Sequence, residues 1–211
     1  MTPVKSGLIF EIWYNYGVTN FIPGKIIEIF ETKKGNSIVI RYPKWEDLDS
    51  LTSFINEVSK EDTYITFSGE KVTKEEEVEH VLNLFRGIEY LNRVYLCCFA
   101  GSELVGTASI DRVLTGRRRR RHIGLFGITL AQKYRGEGIG EKMSRIIIEE
   151  AKRHIPGLTM LLLNVYGQNH IAQSLYKKLG FKEVGRMPKG LIYKGEYDEE
   201  INMVLDLEDA I

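Results

Sequence analysis

A glycine-rich segment, Gln132–Gly140, lies between an apolar run and a helical pattern, an arrangement that can hold a phosphate. The apolar run covers residues 123–131, and the helical pattern continues from Glu141 to His154. Glycines can adopt positive φ, so backbone N–H groups can crowd around one anion. The start of a helix adds unpaired N–H groups and the positive end of its dipole. The segment therefore predicts a phosphate-binding turn.

The spacing of the glycines excludes two common phosphate loops. A Walker-type loop needs Gly, four residues and then Gly-Lys-Ser/Thr, whereas Lys142 here precedes a methionine. Gly136, Gly138 and Gly140 give G-x-G-x-G rather than the G-x-G-x-x-G of dinucleotide-binding turns. An ordinary strand-to-helix turn without a ligand stays open at this point.

Length and composition indicate a globular chain with no dominant charge. The 211 residues are 43% hydrophobic, and 29 basic residues balance 29 acidic ones, which argues against a global attraction to nucleic acid. No apolar run reaches the roughly 20 residues of a membrane span, and the first residues do not resemble a signal peptide. The two cysteines, Cys97 and Cys98, are neighbours that a strand would point to opposite faces. We therefore expect a cytoplasmic protein.

The N-terminal residues 1–36 are interpreted as a β-hairpin extension, followed by one domain over residues 37–211. Strand-like residues 8–14 and 26–31 are separated by turn-forming residues, and residues 33–36 resemble a linker. Such a hairpin would cover a sheet edge or pair two subunits. A homodimer is therefore possible.

The remaining chain predicts an α/β (α+β) fold in which a mixed sheet carries helices on both faces. Strands are predicted at 37–42, 94–100, 104–110, 123–131, 158–165, 181–186 and 199–207, and helices at 45–58, after Thr73, at 141–154 and at 171–179. Glutamates 75–77 are interpreted as the solvated first turn of the second helix. The apolar stripe of that helix is predicted to consist of Val78, Val81, Leu82, Phe85 and Ile88.

Two segments together resemble the signatures of the GNAT acetyltransferase superfamily. Arg135, Gly138 and Gly140 match its Arg/Gln-x-x-Gly-x-Gly/Ala loop, and residues 169–181 match its Asn-x-x-Ala-x-x-Leu-Tyr-x-x-x-Gly-Phe segment. The resemblance covers residues 37–207, and the tail further resembles the branch that acetylates α-amino groups of small molecules or protein N-termini. It implies a mostly antiparallel sheet with splayed central strands, acetyl-CoA as cosubstrate and an amine acceptor.

The resemblance also implies where acetyl-CoA binds. Backbone amides of the glycine-rich turn would surround the pyrophosphate, and the pantetheine arm would pair with free backbone groups at the end of the preceding strand. Gly124 and Gly127 on that strand fit either a close ligand approach or plain packing against a bulky neighbour. The implied cofactor-binding residues are Ile128, Thr129, Leu130, Arg135, Gly136, Glu137, Gly138, Ile139, Gly140, Asn169 and Tyr176.

Acetyl transfer needs a neutral amine, a polarised thioester carbonyl and a protonated leaving thiolate. By the resemblance, Tyr176 occupies the position of the general acid, and the amide of Leu130 would donate to the carbonyl. Asn169 can also cap the helix that follows it. The base is left open, with Asn164 as a residue that could order a water beside the amine. The other candidates are His122, Glu103 and Glu196.

The acceptor is not fixed by these patterns. Amino acids, small amines, protein N-termini and lysines stay open, and residues 43–73 and 187–199 would form the acceptor walls. The run Arg117–Arg121, before the strand at 123–131, either forms a solvated hairpin or lines the acceptor groove. We predict direct transfer in a ternary complex without a metal. A noncatalytic module that senses acetyl-CoA or binds a partner is the alternative.

Overall fold

Eight strands form one sheet in residues 21–208, the part of the chain that the computed structural model describes. The order across the sheet is β1-β2-β3-β4-β5-β6-β8-β7, and β5 and β6 run parallel while the other neighbours run antiparallel. The predicted mixed, mostly antiparallel sheet is confirmed. The strands are β1 (Ile26–Glu31), β2 (Ser37–Arg41), β3 (Arg93–Ala100), β4 (Glu103–Arg112), β5 (Ile123–Leu130), β6 (Met160–Tyr166), β7 (Lys182–Tyr193) and β8 (Glu196–Asp206).

Helices cover both faces of the sheet. Here the front face is the one under α1 and α2, and the back face is the one under α3 and α4. Side chains alternate along β5, so Thr129 points to the front and Leu130 to the back. No helix within residues 21–208 is long and apolar enough to cross a membrane. The helices are α1 (Leu48–Lys60), α2 (Lys74–Glu89), α3 (Ile139–His154) and α4 (His170–Lys178).

Strand β1 forms one edge of the sheet. It pairs with β2 through a tight turn in which the Thr32 amide donates to the Asn36 carbonyl at 2.9 Å and Gly35 has a φ of 81°. The interpretation of residues 33–36 as a linker is wrong, because this turn joins two paired strands. The predicted partner strand at residues 8–14 lies outside the described residues, so the division of the chain at residue 36 stays a prediction.

The two halves of the sheet meet at β5 and β6, which are joined by three residue pairs. The last pair is Leu125 opposite Leu162. Beyond it, β5 continues beside β4 as far as Leu130, whereas β6 continues beside β8 as far as Tyr166. The predicted splay of the central strands is confirmed, and it leaves an opening between the ends of β5 and β6.

Helix α2 turns a different face to the core from the one that its apolar residues predict. Leu82, assigned to the apolar stripe, is 47% exposed, so that assignment is wrong. Glu75 and Glu76 are exposed as predicted, but the side chain of Glu77 is buried, so the solvated interpretation is wrong for Glu77. The buried positions follow the helical period from Glu77 through Val81, Leu84 and Phe85 to Ile88.

The arginine run forms a one-turn 3-10 helix over Arg117–Arg120. It connects β4 to β5 and therefore lies at the opposite end of β5 from Leu130, on the order of 25 Å away at about 3.3 Å per residue. Residues 118–121 are exposed, which agrees with a solvated turn. The placement gives no support to the hypothesis that the run lines the acceptor groove.

We predict that Gly124→Ala lowers the free energy of unfolding by about 1–3 kcal/mol, because the added methyl group overpacks the core. A Cβ at Gly124 would lie 2.9 Å from the Ile110 Cγ2 and 3.0 Å from the Leu161 Cδ2. The matched control is Gly127→Ala on the same strand, where the nearest atom is the Ser109 Oγ at 3.6 Å. Urea unfolding of both variants measures the difference. An equal loss in both variants would contradict the packing argument.

Candidate active site

The backbone of β5 presents alternate residues to the opening. The Ala131 amide donates to the Val105 carbonyl and the Val113 amide to the Ile123 carbonyl, both at 2.9 Å, so odd-numbered residues of β5 bond to β4. In an antiparallel ladder the residues between them point their N–H and C=O groups the other way. Ile128 and Leu130 therefore present these groups to the opening, where β6 no longer pairs with β5.

Thr129 lies between these two residues but has a different surrounding. Its position in the ladder directs its backbone groups to Thr107 on β4, and its side chain lines a cavity on the front face. The structure thus brings Ile128 and Leu130 to the opening but does not direct the Thr129 backbone there. The expected backbone contact of Thr129 with the cofactor has no support from this geometry.

The glycine-rich turn closes the open end of β5. Gly136 and Gly138 have φ values of 78° and 82°, and a Cβ at either residue would meet no atom within 4 Å. Gly138 is the N-cap of α3, so the amides of Ile139 and Gly140 in its first turn have no intrahelical acceptor. The turn therefore has the donors and the open space that an anion requires.

Arg135 is held at the base of this turn by three acceptors, of which the Thr63 Oγ1 is the most distant at 3.5 Å. Its Nε donates to the Leu130 carbonyl at 2.9 Å, and its Nη2 lies 2.6 Å from the Glu61 Oε2. The other carboxylate oxygen of Glu61 accepts the Gln132 amide at 2.8 Å. Glu61, which follows α1, therefore fixes both ends of the segment that leads from β5 into the turn. Sequence reasoning missed it, because the contact joins residues 74 positions apart.

A second carboxylate, that of the buried Glu137, connects the turn to the β1–β2 hairpin. Glu137 accepts hydrogen bonds from the Thr32 Oγ1 at 2.8 Å and the Asn36 Nδ2 at 3.0 Å, and the Lys34 Nζ lies 3.2 Å away. These partners, with the Thr32 hydroxyl first, hold the pKa of Glu137 below its usual value. The side chain of Glu137 thus faces the protein, which leaves its backbone as the group that an anion in the turn could contact.

Tyr176 lies on the back face at the closed base of the opening. Its ring packs edge-on against Phe126, with 5.9 Å between centroids, and Phe126 is the first residue of β5 beyond the last β5–β6 pair. Burial raises the pKa of Tyr176 to about 12, so the phenol keeps its proton at neutral pH. No side-chain hydrogen bond within residues 21–208 involves its hydroxyl. The phenol is therefore a neutral donor without a protein acceptor.

Asn164 and Asn169 lie at the other side of the opening. Asn164 points to the front face of β6, and its Nδ2 donates to the Glu200 Oε1 on β8. The Oδ1 of Asn169 accepts the Ala172 amide at 3.1 Å, which confirms the predicted cap of α4. The structure thus brings both residues to the end of β6, beside the opening.

The other candidate bases are not brought together with these groups. His122 precedes β5 at its closed end, where its carbonyl accepts the Thr159 amide at 2.9 Å. Glu103 pairs with Lys133 at 2.6 Å, a contact that lowers its pKa and makes it a weaker base. Glu196 begins β8 at the tip of the β7–β8 hairpin. None of the three faces the opening.

Comparison with known proteins identifies the family. A family model described as the acetyltransferase (GNAT) family matches residues 54–181. The chain belongs to the GNAT acetyltransferase family. This GNAT chain is 30% identical over 102 residues to the L-amino acid N-acetyltransferase AaaT of Escherichia coli, an alignment that covers 48% of this chain and 60% of the relative. It spans about half the length of the curated relatives that it matches.

Solved GNAT structures share the fold. An acetyltransferase of the GNAT family from Streptococcus pneumoniae superposes with a TM-score of 0.72 at 27% identity, covering 80% of this chain and 99% of that one. A phosphinothricin acetyltransferase from Sinorhizobium meliloti, solved in complex with acetyl-CoA, superposes with a TM-score of 0.69 at 20% identity, covering 81% and 88%. The second likeness concerns the fold alone.

We predict that Glu137→Ala detaches the glycine-rich turn of this GNAT chain from the β1–β2 hairpin. The variant should exchange amide hydrogens faster in residues 32–36 and 135–138, as measured by mass spectrometry. Because hydrogen bonds lower the pKa of Glu137, the wild-type contact should persist above the usual carboxyl pKa and be lost as the pH falls through the lowered value. Glu149→Ala on α3 is the control. Unchanged exchange in the first variant would contradict the connection.

Proposed function

We propose that this protein is an N-acetyltransferase that moves the acetyl group of acetyl-CoA to a primary amine by direct transfer in a ternary complex. The supporting observation is the row of inward-facing backbone groups at Ile128 and Leu130, directly before a turn with open amides. Family membership favours the same reaction. An acetyl-CoA site requires two features: hydrogen-bond donors for the pyrophosphate, and an unpaired strand edge for the amide groups of the pantetheine arm.

The cofactor would bind in two parts. The pyrophosphate would occupy the turn from Arg135 to Gly140, where the open sides of Gly136 and Gly138 leave room for it. The pantetheine arm would run along β5 as an added strand and use the backbone of Ile128 and Leu130. Gly140 fits this arrangement, because a Cβ there would lie 3.3 Å from Leu130 and leave less room beside the turn.

The chemistry would proceed between the two faces of the sheet. The arm would leave the turn beside Leu130 and run toward Phe126 and Tyr176, so the Ile128 amide, rather than the expected Leu130 amide, would donate to the thioester carbonyl. The neutral amine would then attack the carbonyl carbon. The carbon–sulfur bond would then break, and Tyr176 would give its phenol proton to the leaving thiolate. The raised pKa of Tyr176 supports this role, since it keeps the phenol protonated until a strongly basic thiolate forms beside it.

An acetyl-cysteine intermediate is not part of the proposal. Cys97 and Cys98 are buried on β3, two strands away from β5. Burial raises the pKa of Cys98 to about 12 and that of Cys97 further, so neither is a thiolate at neutral pH. Direct attack by the amine needs no such nucleophile.

The acceptor would enter from the front face between the two predicted walls. Tyr64 from the segment 43–73 stacks on Tyr193 from the segment 187–199, with 4.5 Å between ring centroids. Tyr166 at the end of β6 joins them, with its ring 5.9 Å from that of Tyr193. Aromatic faces attract ammonium groups, which supports an amine arriving in its protonated form. Three expectations stay predictions: that Asn164 orders a water beside the amine, that the protein forms a homodimer and that it is cytoplasmic.

Free-thiol release from acetyl-CoA tests the function. The assay uses wild-type protein with tyramine, putrescine, leucine and trialanine, which represent small amines, polyamines, amino acids and protein N-termini. Thiol release with any of them, matched by the mass of the acetylated product, supports the transferase. Acetyl-CoA binding without release across the panel favours the noncatalytic module instead.

We predict that Tyr176→Phe lowers kcat about 100-fold or more while the affinity for acetyl-CoA changes less than threefold, since the variant loses a proton donor and keeps the ring. Steady-state thiol release and calorimetric binding of acetyl-CoA give the two values. Tyr90→Phe, at a residue that is 68% exposed, is the control and should leave both unchanged. Equal turnover in Tyr176→Phe would remove this residue from the mechanism.

A further inference from the structure

A cavity of about 380 Å³ lies on the front face, between the two front helices and the sheet. Its floor is formed by Tyr95 on β3, Thr107 on β4 and Thr129 on β5. Leu51 and Phe54 of α1 form one wall, and the loop between α1 and α2 covers it. The volume lies in the range of pockets that take small molecules.

Glu77 brings a carboxylate into this cavity. Its side chain occupies a core-facing position in the first turn of α2 and is 6% exposed. It forms no hydrogen bond or ion pair in the described part of the chain, although buried carboxylates are normally paired. Glu77 and Tyr95 both line the cavity, and the charge of Glu77 adds to the burial that raises the pKa of Tyr95. Its carboxylate oxygens keep some contact with solvent and have no protein partner, which leaves them free to bind a ligand in the cavity.

Strand β5 borders the cavity on its front face and the opening along its free edge. Thr129 lines the cavity, and the next residue along the strand, Leu130, directs its amide into the opening. Gly127 points to the same face as Thr129 and carries no side chain, and only the Ser109 Oγ lies within 4 Å of its absent Cβ. An amine in the cavity would have to reach across β5 to a thioester in the opening, and the missing side chain of Gly127 leaves room for it on the front face.

We propose that this cavity is the binding pocket for the acceptor amine and that Glu77 is the general base of the transfer. The inference rests on the proposed function and adds to it the residue that sequence reasoning left open. It also names the substrate class: a primary amine on a slim, partly apolar body that fits between Leu51, Phe54 and Tyr95. None of Asn164, His122, Glu103 and Glu196 has a comparable position.

The protons and electrons balance over one turnover. The ammonium of the acceptor gives one proton to the Glu77 carboxylate, and the freed electron pair of nitrogen attacks the thioester carbon. As the tetrahedral intermediate collapses, the carbon–sulfur bond breaks and the thiolate takes the phenol proton of Tyr176. The second proton on nitrogen is lost to solvent as the amide forms. Glu77 returns its proton to solvent through the cavity mouth, and solvent reprotonates Tyr176.

Burial supports Glu77 in this role, because it raises the pKa of the carboxyl and so makes its anion a stronger base. Three elements contribute further titratable groups to the cavity: the loop before α2, α2 itself and β3. Helix α1 contributes apolar side chains there. These other groups are Glu70, Lys71, Glu76, His80 and Tyr95.

Glu77→Gln tests the inference, since it keeps the shape of the side chain and removes the base. We expect kcat/KM for the best amine of the panel to fall about 100-fold or more, with the KM for acetyl-CoA within threefold. In the wild type, kcat/KM should fall at low pH as Glu77 becomes protonated, and this fall should disappear in the variant. Glu75→Gln removes the same charge two residues away, at an exposed position of the same helix, and it should keep kcat/KM within twofold.

A thermal melt separates this role from a structural one. The raised pKa means that the ionised Glu77 destabilises the fold, and this cost grows as the pH rises through the raised value. Glu77→Gln should therefore melt at pH 7 no lower than wild type. If the wild type is active and Glu77→Gln is equally active, Glu77 is not the general base. The same follows if the activity of the variant falls only together with its melting temperature. Both results leave the proposed transferase function standing. A wild type that transfers to no amine would overturn both.

Discussion

The opening between β5 and β6 depends on a ladder that stops after three residue pairs. β5 is bound to β4 along its length and β6 to β8 along its length, so each strand follows its own half of the sheet beyond Leu125. Because only every second residue of β5 bonds to β4, the N–H and C=O groups of Ile128 and the N–H of Leu130 have no strand partner, whereas the Leu130 carbonyl accepts the Arg135 Nε. Backbone polar groups inside a protein require partners, and here the vacant position fits a ligand that can act as a strand.

Side chains alternate between the two faces of β5, so the proposed proton donor and proton acceptor lie on opposite faces of the sheet. Phe126 faces the back, where Tyr176 supplies a protonated phenol next to the base of the opening. Thr129 faces the front, where the cavity under α1 and α2 holds Glu77. A cofactor in the opening would thus meet a proton donor on one side and a proton acceptor on the other. Glu61 and Glu137 hold the turn at the end of β5 from two different directions, which fixes the anion donors relative to both faces.

What could be predicted from the sequence was local. The turn between β5 and α3, the cap at Asn169 and the order of strands and helices depend on neighbouring residues and their periodicity. The pairing of Glu61 with Arg135 joins residues 74 positions apart and has no sequence signal. Glu77 belongs to an acidic run, which predicts exposure. Its helical spacing to the buried residues Val81 and Ile88 nevertheless places it on the buried face. The charge of the arginine run gave no information about its backbone, which forms a 3-10 helix that begins after Gly116.

Amide hydrogen exchange of β5, followed by NMR with and without acetyl-CoA, tests the central claim most directly. The amides of Ile128 and Leu130 should exchange readily in the free protein and become protected when acetyl-CoA binds, because they gain an acceptor in the opening. The amide of Thr129, which faces β4, should be protected in both states. Exchange at Ile128 and Leu130 that stays unchanged at saturating acetyl-CoA would contradict the proposed site.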